Sequence, residues 1–190
     1  MGAIILLVVV AAIVLWVIAA YNALVALKNQ VVNAWKQIDV QLKRRHDLIP
    51  NLVDTVKGYM GFERSTLEAV ISARNKAVSA QGVGQTAKAE GELSQALGRL
   101  FALTENYPEL KSSANVLQLQ EELTSTENKI GFARQLYNDV ATQYNTRQAQ
   151  FPTSLVAGLA KASPSELWEI EDAAERAVPR VNLSLDQPGT

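Results

Sequence analysis

The chain contains no cysteine. That excludes disulfides, thiolate metal sites and a cysteine nucleophile, and it leaves the compartment to be read from topology alone. Histidine is nearly absent too, with His46 the single imidazole, so a histidine-rich metal site or a Ser/His relay has almost nothing to draw on. Aromatic residues make up only 6% of the 190, and few segments alternate polar with apolar as strands do, which disfavours a sandwich or barrel. Neither charge sign dominates, with 18 basic against 19 acidic residues, so no global field draws in nucleic acid. A glycine-rich phosphate loop is also missing, because the GVG at positions 82–84 falls between helical patterns without a preceding strand. The expectation is a non-enzyme with no metal, no cofactor and no nucleic-acid partner.

What the chain does have is a long apolar run. Every residue from Ala3 to Ala20 is apolar, and no charged side chain occurs before Lys28. At 1.5 Å per residue the run reaches ~27 Å, close to the ~30 Å hydrocarbon core of a bilayer. A cleaved signal peptide is the rival reading, but it calls for a basic leading segment and a shorter apolar core. Trp16 and Tyr21 stand toward the end of the run, where amphipathic rings favour the water interface. Lys28, Lys36, Lys43, Arg44 and Arg45 follow the span and no Lys or Arg precedes it. The positive-inside rule then gives a single pass through the inner (cytoplasmic) membrane, N-terminus out and the folded domain cytoplasmic.

Beyond the anchor (1–21), composition and periodicity predict a helical body (22–151) and a C-terminal segment (152–190). Leu24, Leu27, Val31, Trp35, Ile38 and Leu42, then Ile49, Val53, Val56 and Met60, recur at three- and four-residue steps, a coiled-coil-like seam continuous with the span. Pro50 predicts a bend within that helix, and Gly58 and Gly61 its end. A second helix is expected over 62–79, with Leu67, Val70, Ile71, Arg74 and Val78 on one face. QGVGQ at 81–85 breaks the chain, as a reversal or as a kink. A third helix, capped by Thr86, should cover 87–104 with Leu93, Leu97, Leu100 and Phe101 inward. Pro108 suits the first turn of a fourth, 109–150, whose buried side is marked by Leu117, Leu123, Ile130, Tyr137, Val140 and Tyr144. The order Ser163, Pro164, Ser165, Glu166 predicts a capped helix over 167–177, followed by an extended tail beyond Pro179.

Two constellations stand out. The seam from Leu42 to Ile49 must pass through Arg45 or His46, which puts a polar side chain inside the body, and Glu121 and Glu127 interrupt the fourth helix between Leu117 and Ile130. These four predict a polar layer that fixes register. The other reading of the basic cluster is a docking patch for acidic headgroups or a partner. Separately, the second and third helices are too short to cover the membrane-proximal half, where Leu27, Val31, Trp35, Tyr137, Val140 and Tyr144 form a two-helix stalk. The segment with Leu155, Val156, Leu159, Leu167 and Trp168 covers that stripe within one chain, or neighbouring chains cover it and it becomes an assembly interface.

YNALVALKNQVVNAWKQIDVQLKRRHDLIPNLVDTVKGY, followed by FERSTLEAVISARNKA, resembles the LemA family. LFALTENYPELKSSANVLQLQEELTSTENKIGFARQLYNDVATQYNT and the later LVAGL and AVPRVNL segments are similar to its second half. The resemblance runs from about Tyr21 to Leu183. It implies an all-α chain in which an N-terminal transmembrane helix continues into an up-and-down antiparallel four-helix bundle. It brings no catalytic residue, and a magnetosome-forming relative of the family implies a role in shaping or organising membrane. The leading expectation is therefore a membrane-anchored scaffold that self-associates. The alternative is a regulatory or sensory accessory subunit bound to another membrane protein, and a hydrolase or transferase comes last for want of an acid–base pair.

Overall fold

The computed structural model describes residues 1–59 and 63–169. All regular structure there is helical: α1 (Gly2–Lys57), α2 (Arg64–Ser79), α3 (Val83–Thr104), α4 (Pro108–Lys111), α5 (Ala114–Ala149) and α6 (Thr153–Leu159). Helix α1 is one uninterrupted 56-residue element, ~84 Å long, and among the described residues it is the helix long and apolar enough to cross a membrane. Its first turns stand bare, from Ile4 at 69% exposed to Ile18 at 52%. Burial begins at Ala20 and Leu24, where the helical body starts.

Pro50 sits inside α1 and lacks the N–H that would bond the His46 carbonyl. Arg74 supplies the missing donor, its Nε reaching the His46 oxygen at 3.0 Å. The helix thus continues to Lys57 with that carbonyl satisfied.

Helices α1 and α5 run antiparallel in a register read from two contacts. Trp35 meets Tyr137 edge-on at 5.5 Å between ring centroids, and Arg45 meets Glu127 at 2.9 Å. The same register sets the end of α5 beside the first turns of α1 after the span. Helices α2 and α3 form a second antiparallel pair, so the break at 81–85 is a full reversal. Gly82 turns it with φ 78°, a conformation that suits glycine.

Several expected details differ. Thr86 does not cap α3, which begins three residues earlier; its hydroxyl donates instead to the Gly82 carbonyl within the first turn. On α2, Ala73 and Ala77 are buried whereas Ile71 and Val78 are exposed, because small residues let α3 approach closely. The fourth helix is split: Ser112 and Ser113 separate α4 from α5, with Ser112 Oγ donating back to the Pro108 and Glu109 carbonyls. Leu117 is exposed and Val116 takes its place inside. Leu167 to Glu169 are not helical, and the rest of the helix expected at 167–177, with the tail and Met60, lies outside the described residues.

Two apolar clusters result. The membrane-distal one joins Ile49, Leu52 and Val56 of α1 to Leu67 and Val70 of α2, Leu93, Leu97 and Leu100 of α3, and Leu123 of α5. The proximal one joins Leu24, Val31, Ile38 and Leu42 to Ile130, Tyr137, Ala141 and Tyr144, and is completed by Ala157 and Trp168.

Candidate functional site

Between the two clusters lies a layer of charge. Arg45 and His46 are both buried on α1, and neither meets Glu121, which is exposed on the outer face of α5. Their shared partner is Glu90 of α3, 3% exposed. His46 Nε2 donates to Glu90 Oε1 at 2.6 Å, and Arg45 Nη1 donates to Glu90 Oε2 at 3.3 Å. The same Nη1 reaches Glu127 Oε2 at 2.9 Å, and Nη2 donates to Ser94 Oγ at 2.7 Å. Arg45 thus ties α1 to α3 and α5 at one level. Of the four residues expected in the layer, three assemble, and Glu90 replaces Glu121.

Glu90 carried a signal that apolar periodicity hides. Thr86, Glu90, Leu93, Leu97, Leu100 and Thr104 are all buried at alternating four- and three-residue steps, so Glu90 lies on the leucine seam of α3. A carboxylate on such a seam implies a buried cation opposite.

The layer opens on one side into a cleft of about 390 Å³ lined by Arg45, Glu90, Ser94, Glu127, Arg134 and Trp168. Arg134 lies 3.8 Å from the second oxygen of Glu127, and its guanidinium stacks over the Trp168 ring at 5.6 Å. Arg45, Arg134 and Lys88 therefore share the cleft lining with four carboxylates, Glu90, Glu92, Glu127 and Glu169, and His46 is buried and committed to Glu90. The arrangement suits joining three helices.

The basic residues after the span divide. Lys28, Lys36, Lys43 and Arg44 are exposed, whereas Arg45 is consumed by the layer and cannot face headgroups. Arg44 makes a looser surface pair with Glu122 at 3.8 Å.

The stripe expected to serve assembly is covered by its own chain. Val31, Tyr137 and Tyr144 are buried, and Leu27, Trp35 and Val140 pack partly buried against them. Trp168 lies 6.0 Å from Trp35. Residues 162–169 are strapped along α5 by side chains that grip backbone. Asn145 accepts from Ser165 N and donates to Ser165 O, both at 2.8 Å. Asn138 does the same to Trp168, at 2.8 and 3.0 Å, and Tyr137 Oη donates to Glu166 O at 2.7 Å. Burial, reinforced by the nearby Glu166 charge, pushes the Tyr137 hydroxyl pKa up. The Glu166 carboxylate also lies beside Gly84 in the first turn of α3; a Cβ there would stand 2.6 Å from Glu166 Oε1. Free N–H groups at a helix start favour such a negative charge.

This architecture has relatives. The LemA family model matches residues 34–183. Protein LemA of Metamycoplasma hominis is 32% identical over 138 residues, covering 72% of this chain and 63% of that protein. Magnetosome protein MamQ 2 of Paramagnetospirillum magneticum is 23% identical over 184 residues, 83% of this chain and 68% of its own. Magnetosome protein MamQ of Magnetospirillum gryphiswaldense is 26% identical over 163 residues, 72% of this chain and 60% of its own. This chain therefore spans less than two thirds of that LemA protein and of that MamQ. With an all-helical body behind an apolar N-terminal helix and the match running across most of its length, the chain is a membrane-associated member of the LemA family.

Proposed function

We propose that this protein is a non-catalytic, membrane-anchored scaffold, an up-and-down antiparallel four-helix bundle that holds copies of itself or a membrane complex beside the inner membrane. The observation that carries this reading is the continuity of α1, in which one helix supplies both the span and the spine of the body. Span and body then tilt and turn together, as a spacer or lattice element requires. The exposed Lys28, Lys36, Lys43 and Arg44 support an N-terminus outside and a cytoplasmic domain. Relatives named for magnetosomes support a membrane-organising role.

Because the Trp35 and Tyr144 stripe is covered, lateral contact belongs elsewhere. Val40 at 62%, Phe132 at 74% and Leu136 at 43% exposed form an open groove between α1 and α5. Phe132→Glu should dissolve an assembly while leaving helicity intact. Trp35→Glu, by contrast, should damage the fold. The test is the size of the full-length protein in mild detergent, with imaging of any large particles.

A second reading, an accessory subunit bound to another membrane protein, is favoured by one feature. The groove's charged residues are Lys36 and Lys129, with no carboxylate among its lining side chains. A twofold self-contact through it would set lysines against lysines. A helix with acidic flanks fits better, and a strictly monomeric protein that co-purifies with a stoichiometric partner would decide for this reading.

A further inference from the structure

Helix α6 stands at the boundary between the membrane span and the body, and its two faces differ. Thr153, Val156 and Ala157 are buried, and Ala157 shares a cluster with Leu24 of α1. On the other side of the helix Leu155 is 65% and Leu159 78% exposed, one four-residue step apart, and Phe151, in the turn just before α6, is 81% exposed. Three large apolar side chains thus project from one short segment.

The register of α1 against α5 fixes the height of that face. With Trp35 opposite Tyr137 and Arg45 opposite Glu127, Ala149 at the end of α5 falls level with Ala23 of α1. Tyr21 closes the apolar run, and Ala20 and Leu24 are the first residues of α1 to be buried. The chain then climbs away, since Ser165 is held by Asn145 and Trp168 by Asn138. Helix α6, between the end of α5 and that ascent, therefore stands at the membrane end of the described body.

We infer that α6 is a second membrane contact, an interfacial foot whose Phe151, Leu155 and Leu159 side chains enter the headgroup–acyl boundary of the bilayer that α1 spans. Lipid is the fitting occupant for two reasons. The exposed apolar face follows directly on the end of α5, which the register sets beside the point where the bare apolar surface of the span ends. Its flanks carry exposed lysines, Lys161 just after α6 and Lys28 on α1, which complement anionic headgroups. Lys161 adopts φ 47°, and the Ala162 N–H bonds the Ala157 carbonyl at 3.0 Å, a helix end that turns the chain upward there. A second contact beside the span would fix the tilt and rotation of the whole body, which a single helix leaves free. The inference rests on the span and not on self-association, so it and the scaffold reading fail by different measurements.

The absence of cysteine makes the test direct. Single cysteines replace Leu155, Leu159 and, as a control far up the body, the exposed Thr124. Each full-length variant is labelled with an environment-sensitive fluorophore and reconstituted into vesicles of phosphatidylcholine and phosphatidylglycerol, with or without lipids carrying a quencher near the carbonyl level. The labels at 155 and 159 should emit at shorter wavelength than the label at 124 and lose most of their intensity to the lipid quencher. The label at 124 should do neither. Water-like emission at 155 and 159 would overturn the proposal. So would blue-shifted emission that the lipid quencher leaves untouched, because protein would then cover the face.

Discussion

The two halves of the body are built on the same pair of long helices, but they are closed by different means. In the distal half α2 and α3 lay an apolar seam against α1, with Leu67, Val70, Leu93, Leu97 and Leu100 as the filling. In the proximal half the closure is α6 and a non-helical strap, residues 162–169, held by Tyr137, Asn138 and Asn145. The difference follows from the backbone. A helix satisfies its own N–H and C=O groups and needs only an apolar face to dock, whereas an extended strap arrives with those groups unpaired and side chains must meet them. The charged layer of Arg45, His46, Glu90 and Glu127 separates the two regimes.

The largest effect is expected at Glu90, the member of the layer that Arg45 and His46 share. Glu90→Ala leaves Arg45 with the half-exposed Glu127 and His46 without its partner, and should cost on the order of 3–5 kcal/mol. Chemical denaturation of the full-length protein in mild detergent, followed by circular dichroism, reads the change. Arg45→Met and Glu90→Leu combined with His46→Phe should recover much of the loss, since apolar residues of similar volume often replace a buried ionic triad without penalty. A cost below ~1 kcal/mol for Glu90→Ala would mean that water reaches the layer freely.

At the strap the effect should be smaller and local. Asn145→Ala removes both hydrogen bonds to Ser165, and at roughly 1 kcal/mol each the loss is about 2 kcal/mol. Hydrogen exchange should speed up over residues 163–168 while α2 and α3 keep their protection. Equal loss of protection throughout the chain would show that the halves are one cooperative unit.

Legibility in the sequence divides along the same line. The continuous α1, the α3 leucines and most of the α5 stripe were readable because helices announce apolar faces at three- and four-residue steps. The split at Ser112 and the buried Ala73 and Ala77 were not, because small and polar residues leave no mark in that periodicity. Arg45 and His46 were visible as interruptions of an apolar seam, whereas Glu90 was lost among charged neighbours. The strap carries the sequence pattern of a helix start but is not helical over 162–169. Its Ser165 and Glu166 resemble a cap, and only the distant Asn145 reveals that their backbone is already engaged.

Alkaline pH tests the strap from another direction. Burial raises the Tyr137 pKa above the ordinary 10.0, the Glu166 charge adding to it, so the folded chain holds this proton more tightly than the unfolded one. The resulting stabilisation is complete below pH 10 and is lost as pH rises through the raised value. Tyr137→Phe should cost about 1 kcal/mol near neutrality, for the lost bond to the Glu166 carbonyl. The gap between the two proteins should narrow as the wild type ionises. A gap that stays constant to the highest accessible pH would mean that this hydroxyl is not buried in the folded chain.

The smallest net effect is expected at Pro50, and it concerns how the distal half tolerates a proline inside its spine. A proline in a helix interior ordinarily costs ~3 kcal/mol, through ring crowding and through one carbonyl left without its donor. Here the orphaned carbonyl belongs to His46 and Arg74 Nε serves it at 3.0 Å, while the Pro50 ring faces outward. Pro50→Ala restores an N–H that then competes with Arg74 for the same oxygen, and it also loosens the unfolded chain. The two changes oppose one another, and the net gain should stay under ~1 kcal/mol. Arg74→Ala alone should cost on the order of 1–2 kcal/mol, because the His46 carbonyl then has no donor. In the Pro50→Ala background the same Arg74→Ala change should cost far less, since the helix itself now supplies the bond. The double-mutant cycle should therefore show a coupling on the order of 1 kcal/mol between two residues linked through this shared carbonyl. Strict additivity would mean that Arg74 stabilises α2 against α1 by packing alone and that the freed carbonyl is served by water.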